Sequence, residues 1–166
     1  TQDGRGATGT PSFTLDRRSA IAHLGDEVFI VGATASHGEH AVGWSFAASA
    51  LTTTPLLGGA AGLWSDSQQL FAVGLGGRIL HYDGHAWLEQ VPRGAKRDDL
   101  WSVWGSGPAD VCAGGRGRIR RYDGRRWTTI YKRAGLSISA IWGLAPDEIY
   151  AVGSEGTLLR YSPNRL

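Results

Sequence analysis

The feature that most constrains the fold of this chain is a repeat of about 40 residues. Four segments align on the anchor glycines Gly32, Gly74, Gly115 and Gly153, which are 42, 41 and 38 residues apart. Short apolar runs lead up to these glycines, and the repeat carries no helical signal. A period near 40 residues without helices is typical of the four-stranded blades of a β-propeller.

Alternation and turn chemistry divide each repeat into four strands. In the second repeat, strand a carries Trp64, strand b is the apolar run 70–74, and strand c ends at Tyr82. Asp83-Gly84 then supplies a tight turn, because glycine accepts positive φ and aspartate bonds its own backbone. Strand d begins at Trp87. The pattern predicts an all-β fold, a small β-propeller of four blades with four antiparallel strands each.

The two ends of the sequence suggest how the ring closes. The last repeat stops after strand c, at residues 157–161, and a strand-like run precedes the first repeat at residues 12–16. We expect this N-terminal strand to complete the last blade, since closure removes exposed sheet edges. Residues 1–11 are then a flexible leader or linker remnant, and residues 12–166 form a single propeller domain. The alternative is a half-propeller that assembles into a larger ring.

Composition agrees with this fold and narrows the partners. The 166 residues include 25 glycines and seven tryptophans, as expected of many short strands joined by tight turns. A single cysteine, Cys112, excludes an internal disulfide and is expected to be a buried hydrophobe. The formal charge of +2 gives no reason to expect nucleic acid as a partner. No apolar run is long enough for membrane insertion.

The repeat W-G-x-x-P-x-(D/E)-(V/I)-x-A-V-G-x-x-G-x-(I/L)-x-x-Y-D-G-x-x-W resembles one found in secreted and surface-associated bacterial propellers. It is also related in appearance to the photosystem II assembly factor (Ycf48-like) and sialidase Asp-box repeats. The resemblance extends from Ala20 to Tyr161 and is weakest in the first repeat. It implies a propeller fold and an extracytoplasmic or secreted location. It implies no activity, because such repeats occur in proteins of unrelated function.

The tryptophans are expected to be mainly structural. Four of them recur at equivalent repeat positions, which favours packing between blades: Trp64, Trp87, Trp127 and Trp142. Trp101 is an additional copy beside Trp104, so one of this pair must point differently. We expect Trp101 or Trp44 to be the most exposed aromatic residue, and exposed aromatics favour ligand contacts.

The third repeat concentrates positive charge. We expect most of its arginines to form a solvated rim: Arg116, Arg118, Arg120, Arg121, Arg125 and Arg126. In a four-stranded meander the b–c and d–a loops share one face of the protein, and the a–b and c–d loops share the other. The first face collects basic side chains and the second collects acidic ones. The predicted ligand-binding residues on the basic face, which suits anionic groups, are Arg97, Arg116, Arg133 and Trp101.

No pattern in the sequence points clearly to catalysis. There is no Gly-x-Ser-x-Gly elbow, no phosphate loop and no obvious acid pair for glycoside cleavage. His37 and His40 are the noticeable candidates for a propeller enzyme, and their spacing is not that of a helical zinc site. We therefore predict no catalytic residue, no metal ligand and no cofactor, with a structural cation in the channel left open.

The favoured function is a non-enzymatic, lectin-like or protein-interaction module. It would recognise a protein or carbohydrate ligand through a loop-lined face of a rigid propeller, as a monomer or homodimer. Two alternatives remain open at this point. One is a lyase or glycoside hydrolase with its site at the central channel, and the other is the half-propeller described above.

Overall fold

The structure, a computed structural model, describes residues 15–34, 38–45, 50–55, 60–90 and 98–162. These residues form β-strands and two short 3-10 turns, so the predicted all-β class is confirmed. The strands in chain order are β1 Leu15–Leu24, β2 Glu27–Thr34, β3 Gly38–Ser45, β4 Ala50–Pro55, β5 Ala60–Ser65, β6 Leu70–Gly74, β7 Ile79–Tyr82, β8 Trp87–Glu89, β9 Leu100–Gly107, β10 Asp110–Tyr122, β11 Trp127–Ala145, β12 Glu148–Gly153 and β13 Leu158–Tyr161.

The strands form three antiparallel sheets that contain four layers. β1 to β4 make layer I, and β5 to β8 make layer II. The third sheet runs in the order β9, β10, β11, β12, β13 and bends at the long strand β11. The first part of β11, up to Ser137, pairs with β10 and belongs to layer III. The part from Ile138 onward pairs with β12, and with β12 and β13 it makes layer IV.

Consecutive layers pack face to face through three apolar clusters. All five residues of β6, in the middle of layer II, are buried, because another layer packs on each face of layer II. The cluster between layers I and II contains Val31, Ala60, Ala72 and Leu80. The cluster between layers II and III contains Phe71, Val73, Ile79, Leu100, Val103, Val111, Ala113, Tyr122 and Trp127. The cluster between layers III and IV contains Cys112, Ile119, Leu136, Ile138, Ile141, Ile149 and Ala151.

The predicted Asp-Gly turns are present in layers II and III. Gly84 and Gly124 have φ values of 94° and 85°, which glycine adopts readily and other residues rarely adopt. The Asp83 carboxylate accepts hydrogen bonds of 2.9 Å from the backbone N–H groups of His85 and Ala86. These bonds fix the hairpin that leads from strand c to strand d.

Within the described residues, the series of layers is open at both ends. Ile21 on layer I is 68% exposed and Trp142 on layer IV is 57% exposed, whereas a closed ring of four layers would cover both faces. The expected closing strand at residues 12–16 falls partly within the described residues, and there the expectation is wrong. Leu15 pairs with Thr34 inside layer I, because β1 extends back to residue 15. Phe13 lies outside the described residues, as does the predicted leader at residues 1–11.

Candidate functional site

The structure places two of the four predicted ligand-binding residues at the same end of the layers. Arg116 and Arg133 are both exposed, and their backbones lie close together. The carbonyl oxygen of Arg133 is 3.1 Å from the position that a Cβ atom would take at Gly117, the residue after Arg116. Trp101 is half-buried, and its indole nitrogen has no hydrogen-bond partner among the described residues. Arg97 lies outside the described residues.

Carboxylates share this end, so its charge is mixed. Asp98 forms an ion pair with Arg118. Asp99 accepts a hydrogen bond of 2.9 Å from the backbone N–H of Gly76 through its carboxylate, and one of 2.8 Å from the N–H of Arg116 through its carbonyl oxygen. Sequence reasoning counted the basic residues of these loops and overlooked both aspartates. The anionic-ligand site on the basic face stays a prediction.

Arg120 differs from the expected solvated rim. Its side chain is 2% exposed and occupies the strand c position that Leu80 has in layer II. Burial, followed by the charge of Arg118, lowers its pKa, while the charge of Asp98 opposes that shift. The prediction that Arg120 and Arg121 lie on opposite faces of the strand is correct. Neither is on an open face, because layers II and IV cover the two faces of layer III.

The acidic residues of the opposite end stabilise turns and strand ends. Backbone hydrogen bonds from Ala86 and His85 lower the pKa of Asp83. The Glu148 carboxylate accepts hydrogen bonds of 2.7 Å from the hydroxyl of Tyr150 and 2.9 Å from Arg160, and the first of these is the main cause of its lowered pKa. These carboxylates are engaged within the protein, which argues against a cation site built from them.

The tryptophans of strand a pack from one layer onto a glycine of the next. A Cβ atom at Gly105 would lie 2.7 Å from the ring of Trp64, and one at Gly143 would lie 2.5 Å from the ring of Trp104. The structural role predicted for Trp64, Trp87 and Trp127 is confirmed, because all three pack against core clusters. The expectation for Trp142, the corresponding tryptophan of layer IV, is wrong: it is 57% exposed, because no layer among the described residues covers it.

The remaining residues that were considered from the sequence are Cys112, His37, His40 and Trp44. Cys112 is buried as expected, and burial raises the pKa of its thiol to about 12. The backbone of His40 pairs with Gly32 and Pro55 in layer I. His37 and the side chains of His40 and Trp44 lie outside the described parts of the structure.

An aromatic trio closes the outer edge of each of the first two interfaces. Between layers I and II, the ring centroid of Tyr82 lies 5.3 Å from those of Phe29 and Trp87. Between layers II and III, Tyr122 lies 5.5 Å from Phe71 and 5.3 Å from Trp127. In each trio strand b of one layer supplies the phenylalanine, and strands c and d of the next layer supply the tyrosine and the tryptophan.

At the third interface this trio is incomplete, and a groove takes its place. Cys112 occupies the phenylalanine position and Tyr161 the tyrosine position, while no described residue supplies the tryptophan. The groove has a volume of about 240 Å³, and its mainly apolar lining includes Ile130, Tyr131 and Leu159. The guanidinium of Arg121 lies 5.0 Å from the centre of the Tyr161 ring.

A strand edge borders this groove. In layer II, β8 pairs with β7 and brings Trp87 opposite Tyr82; in layer III, β11 brings Trp127 opposite Tyr122. β13 is the terminal strand of its sheet, and no described strand pairs with its outer side. Two features of the sequence indicate this groove when they are taken together. The last repeat has no predicted strand d, and the preceding repeat has a cysteine at the phenylalanine position.

The described residues contain no cluster of three or more potential metal ligands. They also contain no helix that is long and apolar enough to cross a membrane.

Antiparallel layers stacked in chain order, with the same aromatic packing at the first two interfaces, define a propeller-like repeat protein. The sequence matches no family model and no curated protein. Solved structures do match. YCF48 from Cyanidioschyzon merolae superposes with a TM-score of 0.69 at 14% identity over 96% of this chain and 54% of that chain. YCF48 bound to D1 peptide gives 0.70 at 18% identity, over 94% and 53% of the two chains.

The computationally designed Ika4 protein is also similar, with a TM-score of 0.67 at 14% identity over 94% of each chain. At these identities the similarity shows the fold. The chain spans about half the length of the two YCF48 chains.

Proposed function

We propose that this chain is a protein-interaction module that binds an extended segment of a partner protein along β13. One aromatic side chain of that segment fills the groove between layers III and IV. The observation that carries the proposal is the incomplete aromatic trio beside an unpaired strand edge. We further propose that the four layers are propeller blades, and that the bound strand completes the fourth.

Strand addition suits this edge because the recognition elements are already in place. The outer side of β13 offers main-chain hydrogen-bonding groups, and the groove offers an apolar pocket for a side chain. A tryptophan in the groove would pack against Tyr161, as Trp127 packs against Tyr122 with ring centroids 5.3 Å apart. Such aromatic pairs contribute about 0.5–1.5 kcal/mol beyond the burial of their surface.

One structural neighbour supports recognition of a peptide by this fold. YCF48 was solved with D1 peptide bound, and its fold matches 94% of this chain. A propeller-like stack is a rigid frame, so a groove on it loses little conformational freedom on binding. We extend peptide binding to this chain as part of the proposal, together with an extracytoplasmic location.

The direct test uses the strand that completes layer III as the probe. A fluorescein-labelled peptide RRWTTIYK, the sequence of residues 125–132, is titrated with the protein and followed by fluorescence anisotropy. We expect saturable binding with a Kd below about 1 mM. The matched peptide with Trp127→Ser should bind at least about tenfold more weakly, which corresponds to about 1.4 kcal/mol.

Two variants of β13 locate the site. Tyr161→Ala removes the aromatic partner in the groove and should weaken binding, whereas Leu158→Ala alters the opposite face of the same strand and should leave binding unchanged. Equal binding of the two peptides, or equal effects of the two variants, would contradict the proposal. If binding appears only after removal of residues 1–14, that segment of the chain itself occupies the edge and the partner-binding proposal is wrong.

A further inference from the structure

The interior interfaces of this protein bring the same two kinds of apolar surface together. We call the face of a layer that points to the next layer in chain order its front face, and the opposite one its back face. The front face of layer II carries Phe71, Val73 and Ile79, all buried against layer III. The back face of layer III contributes Val103 and Val111 to the same cluster.

The front face of layer IV carries the same kinds of residue without a cover. The positions of Val73 and Ile79 are taken by Val152 and Leu158, which are 43% and 68% exposed. Trp142, which corresponds to Trp64 and Trp104, lies beside them on this face. Several large apolar residues exposed on one face of a folded protein indicate an interaction surface.

The back face of layer I is the matching half. The positions of Val103 and Val111 are taken there by Ile21 and Val28, and Ile21 is among the most exposed large hydrophobic residues described. The two open ends of the stack are therefore one front face and one back face. They are the two kinds of surface that meet at each interior interface.

Charge also matches across these ends. Within the chain, Arg121 of layer III donates a hydrogen bond of 2.9 Å to the carbonyl oxygen of Pro146, in the turn between the first two strands of layer IV. Arg160 holds the equivalent position in layer IV. The corresponding turn of layer I, between β1 and β2, contains exposed Asp26. A guanidinium would there meet both a carbonyl and a carboxylate, and charge-assisted hydrogen bonds of this type are strong.

We propose that layer IV of one chain packs on layer I of a second copy, head to tail, so that two copies close a single ring. Two identical contacts, related by a twofold axis, then cover all four open faces. The length of the YCF48 chains supports this size, since each is about twice as long as the part that this chain matches. The inference does not depend on the proposed peptide site.

One residue of the proposed contact sets its strength. Trp64 and Trp104 each rest on a glycine of the next layer, and in layer I the position of that glycine is held by His23. The imidazole occupies space into which Trp142 would otherwise settle. Association of the natural chain is consequently weak, and His23→Gly strengthens it.

Sedimentation equilibrium across a concentration series tests the proposal. We expect the mass of two copies at high concentration and of one copy at low concentration. His23→Gly should lower the dissociation constant at least about tenfold, and Trp142→Asp or Ile21→Asp should give the mass of one copy throughout. All three residues are exposed, so far-UV circular dichroism should confirm that each variant folds.

Mixing the two aspartate variants tests the direction of the contact. Ile21→Asp retains an intact front face and Trp142→Asp an intact back face, so the mixture should form a two-copy species that neither forms alone. A one-copy mass of the natural chain and of His23→Gly at all concentrations would overturn the proposal. Unchanged association of Ile21→Asp would also overturn it, as would assemblies larger than two copies. Tyr161→Ala should not alter the mass, which separates this test from that of the peptide site.

Discussion

A tryptophan packs closely on a glycine of the next layer, and Gly143→Ala perturbs this contact with a single methyl group. The added Cβ atom would lie 2.5–2.8 Å from three atoms of the Trp104 ring. Side-chain carbons do not approach so closely in folded proteins. Trp104 packs against the cluster between layers III and IV, so its ring cannot move without disturbing that cluster.

The expected loss in the free energy of unfolding follows from this overlap. Overpacking a well-filled core costs about 1–3 kcal/mol, and we expect Gly143→Ala to lower the free energy of unfolding by that amount. Gly107→Ala is the matched control, because Gly107 ends β9 and a Cβ atom there meets nothing within 4 Å. It should be neutral, or stabilising by up to about 1 kcal/mol through the lower entropy of the unfolded chain.

Urea unfolding followed by far-UV circular dichroism measures both variants, with an unchanged m-value as the condition for comparison. The decisive step repeats Gly143→Ala in a Trp104→Ala background, where the ring is absent and the methyl group should cost little. The reasoning is refuted if Gly143→Ala is no more costly than Gly107→Ala. It is also refuted if the full cost persists without the Trp104 ring.

Three further predictions concern buried groups. Arg120→Leu, which copies Leu80 of layer II, should lower the free energy of unfolding by about 1–3 kcal/mol in urea, because it leaves the buried groups that interact with the guanidinium without their partner; an unchanged or higher value would show that these interactions contribute nothing. Burial lowers the pKa of His81, so the unfolded chain binds the proton more tightly than the folded protein does. The free energy of unfolding, measured with urea, should therefore fall as the pH drops below about 6.5. His81→Gln should remove this slope and His85→Gln should retain it, while equal slopes in both variants would contradict the assignment. The raised pKa and burial of Cys112 predict that Ellman's reagent at mildly alkaline pH labels it only as fast as the protein opens; rapid labelling of the folded protein would contradict this.

Local chemistry made the strands and turns predictable. The Asp83-Gly84 turn could be inferred because few other residue pairs satisfy both its φ requirement and its hydrogen bonds. The burial of Cys112 followed from its place in strand b. These features depend on neighbours in the sequence, and a single repeat contains the information needed to infer them.

The burial of some side chains could not be predicted, because it depends on whether another layer packs on the face that carries them. Trp142 has the same sequence environment as Trp64, yet it is exposed because no layer in the described part of the chain packs on it. Arg120 was expected in solvent because arginine usually is, yet layer II covers it. Alternation assigns a residue to a face, and it carries no information on whether that face is buried.

The two proposals make a joint prediction, because strand d contributes to both surfaces. In layer III, Tyr131 lies on strand d and packs into the cluster that joins layers III and IV. A strand RRWTTIYK bound along β13 would enlarge the front face of layer IV in the same way. It should therefore strengthen self-association at least about fivefold, and by linkage a second copy should strengthen peptide binding by the same factor. A peptide with Tyr131→Ser should still bind at the groove but lose this coupling. Dissociation constants of the two-copy species that do not change with peptide would show that the bound strand does not extend the layer.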